Sequence, residues 1–481
     1  MDLQNNQLIT YPIPEGAPVS HDYQIRIRPL GAPEWTKASA YRVNVDMHDV
    51  RASSMLYFDF TGAVEVEVTM PGYYEIYRVD IRPLSLGIKA EFQQKTLRFI
   101  LDRPVNISVE VNKERFHNLH IFAGKIEGRH TPANELVLEP CRGDVGFAGD
   151  AISAKLSQMP KGRTLRIKPG FYYISESIWH LPSDTNICLE GGAVLVGGLA
   201  FEHGRNLHIY GKGILYLADF ARFSSINGIR LCFANNVVIE DLCLINPPHY
   251  SIYLGSCKDV TIRGIKSFSC EGWSDGIDMM SCRNVLIEHC FLRTSDDCIA
   301  IYGSRWEHYG STTHIRVRNC TLWADVAHPT LIGAHGDHAH EGDVIEDIVI
   351  EDIDVLEHHE YQSGCLGVCA ICAGDQNRVR NVTYRNFRIE PFEHGQLFHF
   401  EICKSEVYNP APGHEIGEIL LENISVMSGN GEEPSLIKGY SDAYRVHDIT
   451  FRNIMRDGIR ATSLQEANIC VGDYAEQIKL S

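Results

Sequence analysis

The tetrapeptide Asn236-Val237-Val238-Ile239 decides the fold, because it is one copy of a short pattern that recurs through most of the chain. The pattern is a polar residue, an apolar residue, a variable residue and a second apolar residue. Other copies begin at Asn206, Asp259, Asn284, His314, Asp347, Asn381 and Asp448. Successive copies start 30, 23, 25, 30, 33, 34 and 67 residues apart, and Glu418-Ile419-Leu420-Leu421 fits a further copy within the longest interval.

A repeat of this length is typical of a solenoid. Its units contain short strands and turns without helical periodicity, which excludes ankyrin, tetratricopeptide and leucine-rich repeats. We therefore predict an all-β chain dominated by a parallel β-helix, in which stacked coils build one continuous core. Equivalent positions on successive coils would lie about 4.8 Å apart. A short amphipathic helix predicted over 150–159 would cover the open end of that core.

The first part of the chain has a different pattern. Val64-Glu65-Val66-Glu67-Val68-Thr69 alternates strictly, as a strand with one buried face does. Similar short segments follow at 77–81, 96–101 and 106–111, separated by Pro-Gly and Arg-Pro turn signals. We therefore predict a small β-sandwich domain over residues 1–128, followed by the β-helix domain over 129–481.

The composition of the chain limits the kinds of partner and the cellular compartment that we expect. The chain has 481 residues, with 44 Lys and Arg against 62 Asp and Glu, a formal net charge of −18. Such a surface repels nucleic acid and anionic membranes, so we expect neither as a partner. The 15 cysteines recur in apolar segments, which favours reduced thiols over a disulfide framework. Residues 1–6 lack a signal-peptide pattern, which predicts a cytoplasmic protein, or a secreted one if a signal has been trimmed. The oligomeric state stays open.

The densest group of chemically active residues lies in two segments, Trp-Ser-Asp-Gly-Ile-Asp at 273–278 and Thr-Ser-Asp-Asp-Cys-Ile-Ala-Ile at 294–301. Asp275 and Asp296 are 21 residues apart, close to one short coil, which predicts that Asp275 lies beside Asp296 and Asp297. Three adjacent carboxyls suit glycoside hydrolysis. In that reaction a protonated carboxyl gives its proton to the leaving oxygen, and an ionised carboxylate activates a water molecule. Their mutual repulsion separates their pKa values and so supplies both forms at one pH.

These two segments resemble the catalytic core of glycoside hydrolase family 28, the polygalacturonases, which reads Asn-Thr-Asp-Gly and Gly-Asp-Asp at these places. The resemblance extends from about residue 143 to the C-terminus. It implies a right-handed parallel β-helix and an inverting glycoside hydrolase that needs no cofactor and no metal. By the same resemblance Asp296 is the general acid, and Asp275 and Asp297 position and deprotonate water.

Two histidines compete for the place of a family histidine that lies in a Gly-His-Gly motif and is tied to the acid. His328, in Ala-His-Pro-Thr-Leu-Ile-Gly, aligns best because residues like Leu-x-Ile-Gly follow the family's histidine. His335, in Ala-His-Gly, copies the motif literally but lies seven residues later. We favour His328 as the catalytic histidine and keep His335 as a residue of the substrate cleft.

One departure from the family concerns the substrate. The family's Arg-Ile-Lys, which binds the galacturonate carboxylate, is replaced by Ala370-Ile371-Cys372. Neither alanine nor a thiol replaces the two cations. In the N-terminal region, Tyr57–Gly62, Ile81–Ile88 and Phe116–Ala123 resemble the β-sandwich of glycoside hydrolase family 49, the dextranases and isopullulanases. Both resemblances together imply an α-linked oligo- or polysaccharide substrate that is neutral or weakly charged.

Other residues near the carboxylates are candidates for sugar binding. Trp273, Trp306, Tyr309 and Trp323 offer rings on which sugar faces stack, and Lys404 lies in a predicted cleft wall. Insertions at 303–313, 334–344 and 355–378 could close one end of the groove, so chain-end and internal cleavage both remain open. The alternatives are a polygalacturonase acting on galacturonides, a β-helix polysaccharide lyase or epimerase, and a non-catalytic carbohydrate-binding solenoid.

Overall fold

The computed structural model of the protein describes residues 6–72, 74–126, 128, 134–140, 146–362 and 364–481. These residues form a β-sheet domain followed by a long parallel β-helix, as predicted. The last strand of the first domain ends at Lys125 and the first strand of the β-helix begins at Glu135, so the predicted boundary at 128/129 falls between them. Within the described ranges, no helix is long and apolar enough to cross a membrane.

The N-terminal domain is one hydrogen-bonded sheet that folds over its own apolar core. All its pairings are antiparallel except the parallel pairing of its last strand with its fourth. Its ten strands, which are accompanied by a 3-10 helix at Leu84–Leu86, are Gln7–Thr10, Val19–Pro29, Thr36–Val45, Arg51–Thr61, Val64–Thr69, Val79–Arg82, Glu91–Gln93, Thr96–Leu101, Val105–Val111 and Leu119–Lys125.

Thirty-two strands form the β-helix domain within the described residues, and thirty-one of them stack in three sheets. The repeat sheet carries the recurring pattern and contains Glu135–Leu138, Arg163–Ile167, Thr185–Leu189, Arg205–Gly211, Asn235–Glu240, Lys258–Arg263, Arg283–Glu288, Thr312–Arg318, Val344–Glu357, Arg378–Ile389, Glu415–Val426, Arg445–Arg456 and Ala475–Leu480. The domain-facing sheet contains Gly146–Phe147, Gly170–His180, Ala193–Glu202, Ile214–Tyr216, Cys243–Ile245, Lys266–Phe268, Phe291–Thr294 and Thr321–Ala324.

The third sheet, the cleft sheet, begins against the end of Ala193–Glu202. It contains Ile229–Cys232, Ile252–Gly255, Ile277–Met280, Ile299–Tyr302, Thr330–Gly333, Gly367–Ala373, Gly395–Ile402, Glu432–Glu433, Ser435–Lys438 and Ile469–Val471. One short strand, Ile459–Arg460, pairs antiparallel with Arg445–Arg456 and belongs to no stack.

The recurring pattern has a simple structural cause. The first residue of each copy, Glu418 included, adopts a left-handed backbone with φ between 52° and 61°. Asn and Asp, which dominate these positions, tolerate that conformation better than other side chains. The two apolar residues of each copy are at most 2% exposed and pack in the core. Each copy therefore turns the chain into the repeat sheet, and the predicted copy at 418–421 is confirmed.

A helix at Gly149–Gln158 follows the first two strands of the β-helix domain and begins one residue ahead of the prediction. Its Leu156 is buried in the β-helix core, and Trp179 Nε1 donates a 2.8 Å hydrogen bond to Ser153 on the helix. The Glu176 carboxylate accepts a 3.0 Å hydrogen bond from the Gly149 N–H at the helix start. The helix thus covers the end of the core, as its amphipathic pattern predicts.

The interface between the two domains overturns one predicted sugar contact. Trp323, predicted to bind substrate, is 1% exposed and packs with Tyr57 and Phe122 of the N-terminal domain. Its Nε1 donates a 2.8 Å hydrogen bond to Asp325, and the Arg293 guanidinium lies 4.0 Å from its ring centre. Trp323 lies on the domain-facing sheet because it pairs with Arg293 of the preceding coil, so it cannot reach the cleft.

The prediction that reduced thiols are favoured over disulfides is wrong at one pair. Cys365 and Cys372 form a disulfide, with their Cα atoms 6.3 Å apart. Cys372 lies on a strand of the cleft sheet, and the loop before that strand folds back to bring Cys365 within bonding range. The other twelve cysteines within the described ranges are free, and most of them are buried in the coils.

Candidate active site

Three consecutive coils align Asp275, Asp297 and His328. Each lies two residues before a strand of the cleft sheet, and the register pairs Ile277 with Ile299 and Ile299 with Thr330. The backbone ladder continues through the turns, since Gly276 donates to the Asp297 carbonyl and Cys298 to the His328 carbonyl, both at 2.8 Å. The side chains of these three residues therefore stack on one edge of the sheet.

Asp296 completes a cluster of three carboxyls. One oxygen from each of Asp275, Asp296 and Asp297 lies within 4.8 Å of the other two. Asp296 is the most accessible of them and accepts hydrogen bonds from the backbone N–H groups of Trp273, at 2.9 Å, and of Asp297, at 3.0 Å. Three carboxyls so close could also ligate a hard divalent cation. The absence of a metal remains a prediction.

His328 contacts Asp297 rather than Asp296. Its Nδ1 is 2.6 Å from Asp297 Oδ1, and its backbone N–H donates to the same oxygen at 3.1 Å. The histidine predicted to be tied to the acid is therefore tied to the neighbouring carboxylate. Its Nε2 donates to the Cys365 carbonyl at 3.0 Å, beside the disulfide. Burial opposes the charge of His328, but the Asp297 carboxylate raises the pKa of the imidazole to about 9.

The carboxyls differ in electrostatic environment. Burial, followed by the charge of Asp297, raises the pKa of Asp296 to about 7, although its two backbone donors favour the ionised form. Burial and the charges of Asp278 and Asp296 raise the pKa of Asp275 well above its usual range. Asp297 has the imidazolium of His328 as a direct partner. Asp296 can therefore hold a proton near neutral pH while Asp297 faces a cation.

Asp278 is a fourth carboxyl that the predicted site omitted. It is fully buried, and among the described residues no N–H or hydroxyl group donates to its oxygens; its side-chain partner is the Asp275 carboxyl. Burial and the charge of Asp297 raise the pKa of Asp278 well above its usual range. Its place in the segment Ser-Asp-Gly-Ile-Asp was the available signal, because residues 275 and 278 flank the start of one strand.

A cleft of about 240 Å³ opens above the carboxyls. Among the predicted substrate residues, Trp273, His335 and Lys404 line it. Trp306 and Tyr309 are exposed on the loop after Ile299–Tyr302 but are not among the lining residues, and Trp306 stacks on Tyr253 with ring centres 5.7 Å apart. His335 packs edge-on against Tyr302, and burial lowers the pKa of its imidazole to about 3.

Arg305 is a second residue that the prediction missed. It lines the cleft, and its guanidinium lies 4.2 Å from the Trp306 ring centre and donates a 2.5 Å hydrogen bond to the Tyr250 hydroxyl. Its charge lowers the pKa of the buried Asp275 carboxyl, although burial outweighs this effect. Arg305 lies in the predicted insertion at 303–313, but no spacing in the sequence indicated that this loop turns into the cleft.

Residues 224–471 match the family described as "Glycosyl hydrolases family 28". The chain belongs to glycosyl hydrolase family 28. The match covers more than half of the chain and includes all four carboxyls and His328. Family 28 is a family of inverting glycoside hydrolases, which confirms the predicted family and enzyme class.

This chain is similar to exopolygalacturonase B of Aspergillus niger. The two are 26% identical over 286 residues, which cover 54% of this chain and 61% of the relative. A polygalacturonase of Juniperus ashei is 23% identical over 256 residues, or 53% of this chain and 42% of the relative. The matched region thus spans about three fifths or less of the length of these relatives.

Solved structures extend the similarity of the fold to the N-terminal domain. Dex49A from Penicillium minioluteum has a TM-score of 0.58 at 14% identity and covers 98% of this chain and 96% of its own. A family 28 exopolygalacturonase from Yersinia enterocolitica has a TM-score of 0.54 at 14% identity, with 87% and 96% covered. These similarities confirm the predicted arrangement of a β-domain before a β-helix.

Proposed function

We propose that the chain hydrolyses an α-linked oligo- or polysaccharide with inversion of the anomeric carbon. One observation carries the proposal: Asp296, with a pKa of about 7, lies open to the cleft beside Asp297, which is ion-paired with His328. An accessible carboxyl that can hold a proton, beside a second carboxyl that is paired with a cation, is the arrangement that acid–base hydrolysis of a glycoside requires.

In the proposed reaction, Asp296 gives its proton to the glycosidic oxygen as the bond from that oxygen to the anomeric carbon breaks. Asp275 and Asp297 hold a water molecule, whose oxygen bonds to the anomeric carbon and whose proton passes to the carboxyl group of Asp297, the partner of His328. Oxygens within 4.8 Å are closer than the roughly 6.5–9.5 Å usual between carboxyls of inverting glycosidases. Inversion is therefore proposed from the family assignment, and the configuration of the first-formed anomer tests it.

We propose a neutral or weakly charged sugar as the substrate. The positions of the family's carboxylate-binding cations hold Ala370, which is buried, and Cys372, which is engaged in the disulfide. Neither can bind a carboxylate as a guanidinium or an ammonium does. The net charge of −18 also disfavours a polyanionic chain near the surface.

A galacturonide or another uronide is the second candidate, because two cations enter the cleft from other loops. Arg305 and Lys404 both line the cleft with the carboxyls, and either could meet a sugar carboxylate. Hydrolysis rates for matched neutral and uronic oligosaccharides distinguish the two candidates. In a Lys404→Met variant, a neutral substrate should keep its kcat/KM, whereas a uronide should lose at least tenfold.

The deciding experiment is a substrate panel of dextran, pullulan, polygalacturonate and short oligosaccharides, with NMR of the first-formed anomer. We expect hydrolysis of at least one substrate with an inverted product. Retention of configuration would contradict the proposed water attack, and unsaturated products that absorb ultraviolet light would show a lyase. Turnover of none of these substrates would favour the binding solenoid.

We also propose attack at chain ends. The cleft, at about 240 Å³, is smaller than the roughly 300–1,000 Å³ of pockets that enclose drug-sized ligands, so it suits a short terminal segment. Its wall includes Glu360, Gln362, Gly364 and Cys365 on one side, and Cys403, Lys404, Ser405, Tyr408 and Asn409 on another. Product sizes at early reaction times test this point: single small products support it, and a ladder of internal fragments contradicts it.

A further inference from the structure

A second cluster of metal-ligand side chains lies on the cleft sheet, away from the carboxyls. Cys232 ends the strand Ile229–Cys232, and Glu307 and His308 lie in the loop after Ile299–Tyr302. The Cys232 sulfur, a Glu307 oxygen and a His308 nitrogen lie within 4.8 Å of one another. The register of the coils, rather than sequence spacing, brings these residues together.

A glycine explains how His308 reaches this position. Cys232 pairs with Gly255 on the next coil, and Gly255 pairs with Met280 on the coil after that. A Cβ atom on Gly255 would lie only 2.0 Å from His308 Nε2, so the imidazole occupies the space that a side chain would fill on that coil. The His308 ring therefore lies one strand spacing from Cys232, between the rings of Phe233 and Tyr253.

The two nitrogens of His308 have different surroundings. Nδ1 is 3.1 Å from the Ser256 hydroxyl, whereas Nε2 has no hydrogen-bond partner within the described residues although the side chain is fully buried. Burying an unpaired nitrogen is unfavourable. Nε2 lies 3.6 Å from Glu307 Oε1, and a second partner on the other nitrogen is what orients histidine ligands of metals.

A cation lies beside two of the three side chains: the Arg230 guanidinium interacts with the Cys232 sulfur and with the Glu307 carboxylate. A metal would displace the thiol proton of Cys232 on binding. Arg230 lies 3.2 Å from Glu307 Oε1, the same oxygen that faces His308 Nε2, and the second lone pair of that oxygen can serve a metal.

We propose that Cys232, Glu307 and His308 bind a zinc ion, with solvent as the fourth ligand. Bonds of about 2.0–2.3 Å to sulfur, nitrogen and oxygen in a tetrahedron place ligand atoms roughly 3.3–3.6 Å apart, close to the observed Nε2–Oε1 distance. One sulfur, one nitrogen and one oxygen match the borderline softness of Zn²⁺ better than that of Ca²⁺ or Mg²⁺. The half-exposed Glu307 provides the entry path.

The zinc would act on the shape of the cleft. Arg305 and His308 close a tight turn through reciprocal backbone hydrogen bonds of 2.9 and 3.0 Å. A metal bound by Glu307 and His308 ties that turn to the coil of Cys232. Because Arg305 of the same turn lines the cleft, the site would hold one cleft wall in place without contacting the reacting bond.

The test is metal binding by the whole chain after removal of metal with a chelator. We expect calorimetry to detect one Zn²⁺ per chain with micromolar or tighter affinity, and Co²⁺ to give the absorption band of a cobalt–thiolate bond. Cys232→Ser should abolish that band and weaken Zn²⁺ binding at least tenfold. Glu307→Gln, on an exposed side chain, should weaken binding several-fold without affecting folding.

Two matched variants serve as controls. Cys470→Ser removes an exposed cysteine and His203→Gln an exposed histidine near Phe233, and neither should change the affinity or the band. The proposal is overturned if the wild-type chain binds no Zn²⁺ even at a Zn²⁺ concentration 100 times the expected micromolar dissociation constant. It is equally overturned if binding survives both Cys232→Ser and Glu307→Gln, or is lost in Asp297→Asn, which would place the ion among the catalytic carboxyls.

Discussion

Two groups of buried charge lie close together on the same coils, and they are built in opposite ways. At the domain interface, Arg293 is paired with Asp325 through two hydrogen bonds of 2.8 and 3.0 Å, and further contacts with Asn118 and the Arg115 carbonyl are near 3.0 Å. In the cleft, four carboxyls crowd together, and the side-chain partner of Asp278 is another carboxyl, that of Asp275.

The difference separates a structural role from a catalytic one. A buried ion pair with every hydrogen bond satisfied resists any change of protonation, because losing one partner leaves the other charge unpaired. Crowded carboxyls instead share protons, and their pKa values shift into the range where protons move. The interface network therefore holds the N-terminal domain against the coil of Asp296, and the cleft cluster carries out proton transfer.

The largest expected effect comes from removing the exchangeable proton of the cleft cluster. Asp296→Asn keeps the shape of the side chain but cannot donate a proton, so kcat should fall by roughly 10²–10⁴-fold. Steady-state hydrolysis of the best substrate measures this loss. Asp259→Asn, on the repeat sheet, should retain wild-type kcat. Comparable activity in Asp296→Asn and the wild type would remove Asp296 from the role of acid.

The next effect breaks the interface network. Asp325→Asn leaves the buried Arg293 guanidinium without its counter-charge, which should lower the free energy of unfolding by about 3–5 kcal/mol. Urea-induced unfolding followed by fluorescence measures the change, while kcat per folded molecule should vary much less. The exposed pair of Asp442 and Arg445 provides the control, because Asp442→Asn should change stability only slightly. An equal loss in both variants would contradict the structural role.

This contrast also explains what could be read from the sequence. The β-helix was predictable because its determinants, a polar residue with a left-handed backbone and two buried apolar neighbours, are local and recur at every coil. The carboxyl cluster was predictable because the spacing of Asp275 and Asp297 equals one coil. Trp323 was wrongly placed because the sheet on which a coil residue lies depends on strand boundaries that a short motif does not specify.

Residues contributed by loops escaped prediction for another reason. Arg305 enters the cleft from a turn whose conformation depends on backbone hydrogen bonds between residues 305 and 308. The Cys365–Cys372 disulfide depends on the path of the intervening loop. Neither loop contains a repeated sequence pattern from which the position of its side chains could be predicted. Periodicity therefore predicts the coils, and the specificity of the cleft is encoded in the segments that interrupt it.

A smaller effect is expected when the pH is changed, because the cleft cluster contains a carboxyl that titrates near neutral pH. With a pKa of about 7, Asp296 is protonated below that pH and ionised above it, so kcat/KM should fall about tenfold per pH unit above neutrality. The pH profile of kcat/KM measures this fall at alkaline pH. Lys404→Met should show the same fall, because the titrating group is a carboxyl. A flat profile from pH 6 to 9 would show that Asp296 does not supply the proton.

The smallest effect is expected from Asp278, the buried carboxyl of the cleft that has no cationic partner comparable to Arg293 at the domain interface. Burial and the neighbouring carboxylates raise the pKa of Asp278 well above its usual range, which favours the neutral acid, and the neutral acid resembles an amide in shape and charge. Asp278→Asn should therefore change the free energy of unfolding by less than about 1 kcal/mol, although Asp325→Asn, an identical substitution at an equally buried position, is far more costly. Unfolding of both variants in the same urea series measures the difference. A similar loss in both would mean that Asp278 is ionised and paired, and would place the cleft cluster with the structural networks.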